Sequence, residues 1–370
     1  MSNPGPKVCY LASLYRSHRR AAHDNMRALA AAGIRVVDEP ADADVVVIHD
    51  EPWTYPGYFR AFPEMRERHV VAYAVWEPDV LPPDMIRWIG LANEVWTCSS
   101  FCRDILAAVG RPTTVVPHIV EAASTPNPDL DAAVRQRLGV AEDSFVFYSI
   151  GRLEERKNME AGIRAFAAAF PEGGASYVVK TALPLPENLL NVKGVIRWEG
   201  NPPDAEIAAL HRIGHCLISS HCSEGWGLCL SDAMAEGNLV IATGYSGNTE
   251  FMDDTNGILA AFTLDRIRRP ETRSQFGFPP ESTTAKWAYV DEADLASAMR
   301  NAYADWQATA PLRERARDVS RRFSEGHVGS IMAARLAGIG SARNPPSDRK
   351  RAVQLDVLQH QVGANMGEPR

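Results

Sequence analysis

Short, almost unbroken apolar runs recur along this chain, each followed by a stretch patterned as a helix. Val8–Ala12, Ile34–Val37, Val45–Ile48, His69–Val75, Glu94–Thr97 and Thr113–Val116 are the runs of the first third. A strand that is apolar on both sides has to be covered on both sides, which points to a parallel sheet between two layers of helices. Ala21–Ala32 reads as one such helix, stopped by Gly33. Phe101–Val109 reads as another, with Ser99-Ser100 at its N-cap and Gly110 at its end.

Ala122–Pro128 (Ala-Ala-Ser-Thr-Pro-Asn-Pro) interrupts the rhythm as a linker, and the rhythm then restarts. The second set of strands is Phe145–Ile150, Tyr177–Val179, Val195–Trp198, Cys216–Ser219 and Leu239–Ala242. The helices among them are Met159–Phe170, Asp204–Arg212 and Leu228–Ala235. The prediction is an α/β protein with two Rossmann-like, doubly wound parallel-sheet domains facing each other across a cleft. At about 150 residues per domain, a chain of 370 residues suits this division. The domains are placed at 1–125 and 126–337. Thr263–Ala285 reads as a long loop or insertion, and Asp291–Leu336 as largely helical. The tail, 338–370, reads as disordered or as a strap across the other domain.

The net charge is −7, which argues against nucleic acid as the main partner, because phosphate binding needs a basic face. No apolar run reaches the ~18 residues of a membrane span, and Met1–Lys7 has no secretion signal. A cytoplasmic location is expected, with peripheral membrane contact left open. The six cysteines are too few and scattered for a disulfide framework. Neither Cys98 with Cys102 nor the group His211, His215, His221 and Cys222 has convincing metal-site spacing, so no metal is expected. Asp42-Ala-Asp44 and Asp129-Leu-Asp131 read as caps.

In doubly wound sheets, ligands bind outside the carboxyl ends of the strands, and the chemistry-bearing residues of this chain fall there. Ser149-Ile-Gly-Arg-Leu-Glu-Glu-Arg-Lys-Asn158 follows one strand. Gly151 allows a sharp turn, and Arg152 and Lys157 stand at a helix start already suited to anions; a diphosphate fits them. Ser223-Glu-Gly-Trp-Gly-Leu228 follows another strand, with Gly225 and Gly227 letting backbone N–H groups approach a ligand. Glu224 and Asp232 are eight positions apart, about 10 Å along a helix, and carboxylates accept hydrogen bonds from vicinal hydroxyls. Thr243–Glu250 contributes Ser246, Gly247 and Glu250 after a third strand.

These residues resemble the donor-binding domain of the retaining glycosyltransferases of the GT-B fold, family 4. The likeness rests on Gly151-Arg152 with Lys157-Asn158, on the Glu-Gly-aromatic-Gly-Leu run Glu224–Leu228, and on Ser246-Gly247 with Glu250. It continues more loosely through Trp76-Glu77, Trp96–Phe101 and Val116-Pro117-His118. The resemblance implies a hexose moved from a nucleotide-diphosphate sugar, GDP- or UDP-linked, to an acceptor hydroxyl. No metal or other cofactor is implied, and the anomeric configuration is retained. Arg152 and Lys157 would hold the diphosphate and Glu224 the sugar, with backbone N–H groups near Gly227 and Leu228 assisting. Asp232 would hold the ribose, where the family usually has glutamate. On the acceptor side Tyr15–Arg20 replaces the usual Gly-rich turn; His18, Arg19 and Glu77 are the candidates there, and the acceptor itself is not defined. A sugar-nucleotide epimerase and a catalytically silent binding subunit are the alternatives on this scaffold. A nicotinamide dehydrogenase is disfavoured, since no Gly-x-Gly-x-x-Gly follows the first strand.

Overall fold

A computed structural model describes residues 5–182, 184–189 and 191–341. The first sheet contains β1 (Val8–Ala12), β2 (Val36–Val37), β3 (Val45–His49), β4 (His69–Tyr73), β5 (Glu94–Thr97) and β6 (Thr113–Val115). They are all parallel, in the order β2-β1-β3-β4-β5-β6. Every residue of Val45–His49 is buried, as expected for a central strand covered on both faces.

The second sheet is built the same way from β7 (Val146–Gly151), β8 (Ser176–Thr181), β9 (Val195–Glu199), β10 (Cys216–Ser219), β11 (Leu239–Thr243) and β12 (Ile258–Ala260). Its order is β12-β11-β10-β7-β8-β9, again parallel throughout. Each sheet reverses its winding beside its first strand, so the β1 and β7 loops open at the crevices where such sheets bind ligands.

Five helices position the site: α1 (Arg16–Ala31), α2 (Ser100–Leu106), α3 (Met159–Ala169), α4 (Leu228–Glu236) and α5 (Glu325–Ser341). Helix α1 begins five residues before the alanine-rich stretch, which brings Arg16, His18 and Arg20 onto the helix itself. Helix α2 is capped by Ser99, whose hydroxyl accepts from Cys102 N. Helix α5 packs on α1, tied by Arg27–Glu325 and by Arg335 on the buried Glu94 of β5. Helix α5 thus returns to the first sheet, although its sequence continues the second unit. The tail residues 342–370 lie outside the described residues.

The segment read as a loop from Thr263 to Ala285 is more structured than its Arg, Pro and Ser content predicts. It lies within an antiparallel ribbon of β13 (Phe262–Arg266) and β14 (Lys286–Val290), with a short helix at Pro270–Gln275. Trp287 is fully buried and meets Phe276 edge-on, and Phe276 in turn meets Trp76 of the first domain. Lys286 N donates to Asp79 Oδ1 at 2.7 Å. The ribbon is therefore a bridge between the two halves.

Candidate active site

The turn from β10 into α4 carries the central carboxylate. Glu224 is buried, and its backbone is pinned at both ends: its N–H donates to Ser246 Oγ at 2.8 Å, and its carbonyl accepts from Gly247 N at 2.8 Å. A Cβ at Gly247 would lie 1.9 Å from the Gly225 carbonyl, and one at Gly225 would lie 2.1 Å from Val75, so both positions need glycine for contact reasons. Gly227 has φ +97° at the start of α4, a conformation that favours glycine. The Gly225 carbonyl accepts from Ser99 Oγ at 2.7 Å, and Ser223 Oγ donates to the Glu77 carbonyl at 2.6 Å. The loop is thus held by the strand ends of both sheets.

Lys157 and Arg156 both reach Glu224, the guanidinium at 3.1 Å. Burial alone would raise the pKa of this carboxyl, but the two cations bring it down to about 2. Glu224 is therefore ionised at neutral pH. Arg156 also meets Glu154 at 3.0 Å and Glu77 at 3.5 Å. Burial works against its charge, yet Glu77, Glu224 and Glu154 raise its pKa. Glu77 is held upward mainly by burial. The sequence analysis does not single out Arg156; the one local signal for it is its place in the charged run between Glu154-Glu155 and Lys157. Glu155 stabilises this loop from behind, accepting from Arg268 N at 2.9 Å, Arg269 N at 3.1 Å and Tyr289 Oη at 2.7 Å.

The facing wall comes from the first sheet. Asn25 Nδ2 donates to Tyr10 Oη at 2.8 Å, and Tyr10 Oη lies 3.0 Å from His49 Nδ1 in a hydrogen bond. Tyr73 Oη donates to the Val116 carbonyl at 2.7 Å and accepts from His118 Nδ1 at 3.2 Å, which makes His118 Nε2 an acceptor. His18 sits edge-on to His49, centroids 5.5 Å apart, with its Nε2 3.6 Å from Glu51 Oε1. Burial lowers all three imidazoles, His18 to about 4 and His118 to about 3. Burial, with Glu77 and Asp50 nearby, raises Glu51 to about 8. This wall is polar and, around pH 7, largely uncharged.

The structure brings Glu224, Lys157, Ser246 and Gly247 together with Gly225 and Gly227, and it places Glu77 and His18 opposite them. Leu228 opens α4, and Gly151 ends β7 against the Lys157 side chain. Arg152 is exposed at the mouth of the cleft, its Nη1 donating to Tyr15 Oη at 3.3 Å. Arg19 points to solvent, because on α1 it is Arg16 and Arg20 that face the second domain. Arg16 pairs with Asp204, and Arg20 forks onto Asp232. Glu250 accepts from Ser100 N at 2.7 Å at the start of α2, so here it joins the two domains. His211 pairs with Tyr148, Asp131 with Arg212 and Asp44 with Lys7 N. Among the described residues no His, Cys, Asp and Glu group is arranged to hold a metal, and no helix is long and apolar enough to cross a membrane.

Two parallel six-stranded sheets opposed across a loop-lined cleft define the GT-B fold. Anabaena HepE, solved with UDP-glucose, is similar over 90% of this chain and 100% of its own, with TM-score 0.66 and 17% identity. A glycosyltransferase from Rickettsia africae matches 92% of this chain and 100% of its own, with TM-score 0.67 and 12% identity. WaaG, a glycosyltransferase involved in lipopolysaccharide biosynthesis, matches 90% and 99%, with TM-score 0.62 and 15% identity. No protein-family profile matches the chain, and no curated protein matches it in sequence. At these identities the likeness is one of fold.

Proposed function

We propose that this protein is a retaining glycosyltransferase that moves a hexose from a UDP-linked donor to an acceptor hydroxyl without a metal ion. The observation that carries the reading is Glu224, a buried carboxylate kept ionised by Lys157 and Arg156 just before α4. An anionic group beside cations and a helix N-terminus can hold sugar hydroxyls while its neighbours hold phosphate. The UDP-glucose complex of HepE, a protein of the same fold, supports UDP as the first nucleotide to test, with GDP second.

In this reading the acceptor oxygen bonds to the anomeric carbon on the face from which the nucleotide departs. The bond from that carbon to the β-phosphate oxygen breaks, and that oxygen takes the acceptor's proton, so the products are the glycoside and UDP. Arg152, Lys157 and the N–H groups at Gly227 and Leu228 take the charge that develops on the diphosphate. Glu224 orients the sugar, and Asp232 reaches the ribose when Arg20 moves off it. Gly151, Gly225, Ser246 and Gly247 keep the backbone close to the donor, while Glu250 holds the two domains in register.

The test is thermal stabilisation by UDP and GDP, with the Arg152→Ala/Lys157→Ala double variant alongside. Ligand at 100 times its dissociation constant adds about 2.7 kcal/mol. A shift lost in the double variant supports the donor site, and sugar transfer with retained configuration completes it. No shift with any nucleotide overturns the reading, and conversion of the donor without an acceptor would make the protein an epimerase.

A further inference from the structure

The basic cluster Tyr15–Arg20 is the obvious place for an anionic acceptor, but two of its arginines already hold carboxylates of the second domain. Arg16 is bound by Asp204, Arg20 by Asp232, and Arg19 faces solvent. The residue of this cluster that turns toward the first-sheet wall is His18, whose side chain is 12% exposed.

Two ring nitrogens in this wall are buried without a hydrogen-bond partner, His18 Nδ1 and His49 Nε2. A polar atom sealed from water and unpaired is destabilising, so an oxygen that reaches these nitrogens is favoured. The hydrogen-bond chain Asn25–Tyr10–His49 engages His49 Nδ1 and leaves Nε2 as the ring nitrogen still to be paired. Neutral His18 offers one donor and one acceptor nitrogen, and its Nε2 already looks toward Glu51. A hydroxyl, which donates and accepts at once, complements this pair. The carboxyls nearby are Asp50, Glu51 and Glu77, with Arg156 answering Glu77 at 3.5 Å. Asp50 accepts from Tyr58 Oη at 2.9 Å and from Glu51 N at 2.8 Å. A phosphate or carboxylate entering here would meet these carboxyls.

We propose that His18 and His49, beside Glu51, form a subsite for a hydroxyl of an uncharged, polyhydroxylated acceptor, a sugar or polyol rather than a phosphorylated one. This rests on the transferase reading and names the substrate class of its second site. Since His49 is fully buried in this arrangement, the proposal requires the two halves to part for such a ligand to enter.

The experiment uses the full chain labelled with 15N-histidine and saturated with UDP. Matched probes differing only by a phosphate are titrated: glucose against glucose 6-phosphate, and glycerol against glycerol 3-phosphate. The imidazole signals of His18 and His49, assigned with His18→Gln and His49→Gln, are read together with the melting temperature. The expected result is a saturable shift of both signals by a neutral member, with its phosphorylated match at least about tenfold weaker. His18→Gln should melt with and bind UDP like the parent but lose the neutral ligand. Tighter binding of the phosphorylated member overturns the proposal. So does the absence of any response to neutral probes, or a response that survives His18→Gln unchanged. UDP saturation, established first, separates failure of this subsite from failure of the transferase reading.

Discussion

Arg20 and Asp232 meet across the cleft as a guanidinium fork on a carboxylate, with Nη1–Oδ2 at 2.6 Å and Nη2–Oδ1 at 2.8 Å. Asp232 raises the pKa of Arg20, and the aspartate side chain is only 21% exposed. The first domain thus supplies a cation to the carboxylate that the proposed function assigns to the donor ribose. On that assignment nucleotide and Arg20 would compete for one carboxylate, so the Arg20–Asp232 pair and loading of the donor would oppose each other.

Arg20→Ala should therefore separate stability from binding. Asp232 loses its partner while still largely covered, which should cost about 1–3 kcal/mol. UDP should nonetheless bind more tightly, about tenfold, because the competing arginine is gone. Melting curves and calorimetric titration check both. Weaker UDP binding would place Arg20 on the nucleotide instead.

Glu224→Gln should lower turnover by about a hundred- to a thousand-fold while the fold survives. Its pH signature follows from the depressed carboxyl. The unfolded carboxyl titrates near its ordinary value of 4.5 and the folded one near 2. The stability that ionised Glu224 contributes is complete above the unfolded value and is lost as pH falls toward 2. Acid unfolding followed by circular dichroism should lose that portion of its slope in the glutamine variant.

Glu51 acts with the opposite sign. Its folded pKa is about 8 against an ordinary 4.5, so between those values the folded state holds a proton that the unfolded state has released. Stability from this group declines as pH rises from about 4.5 to 8 and is level above that. Glu51→Gln should remove this decline and stabilise the protein at pH 8 by about 1–3 kcal/mol, as read from melting midpoints across the range. An unchanged pH profile would mean that Glu51 is ionised in the fold.

Gly247→Ala tests the close approach of two backbones. A methyl there would fall 1.9 Å from the Gly225 carbonyl, so the Glu224 turn must move. The expected outcome is a loss of about 2–4 kcal/mol of stability together with loss of the UDP shift. Retained nucleotide binding would show that the turn yields without disturbing the donor site.

Metal independence is checked by dialysis against a chelator. Sugar transfer should continue at the same rate with and without added Mg2+ or Mn2+, since Lys157 and Arg152 are assigned the phosphate charge. A rate restored only by a divalent cation would overturn that assignment.

All the strands of the two sheets except the short edge strand β12 (Ile258–Ala260) were legible, because buried parallel strands need apolar residues on both faces, and Val45–Ile48 or Leu239–Ala242 admit little else. The ribbon of β13 and β14 was not legible. Its strand Phe262–Arg266 is exposed along its length, so no alternation marks it, and its order comes from Trp287 and Phe276 packing on Trp76. The turn Glu224–Leu228 was legible because its glycines and carboxylate stand directly after a strand.

Sequence alone determined the two-sheet architecture, the loops at the strand ends and the residues Glu224, Lys157, Ser246 and Gly247 that those loops carry. These are local matters of pattern and turn chemistry, settled within a few residues of each position. Tertiary structure alone decided that Arg20 rather than Arg19 enters the cleft, that Arg156 joins Lys157 on Glu224, and that Glu250 holds Ser100. Helical spacing says which residues share a face, but which face is buried depends on where the second domain stands. A charge in a loop looks the same in sequence whether it meets solvent or a carboxylate from a strand end nearly eighty residues earlier, as Arg156 meets Glu77.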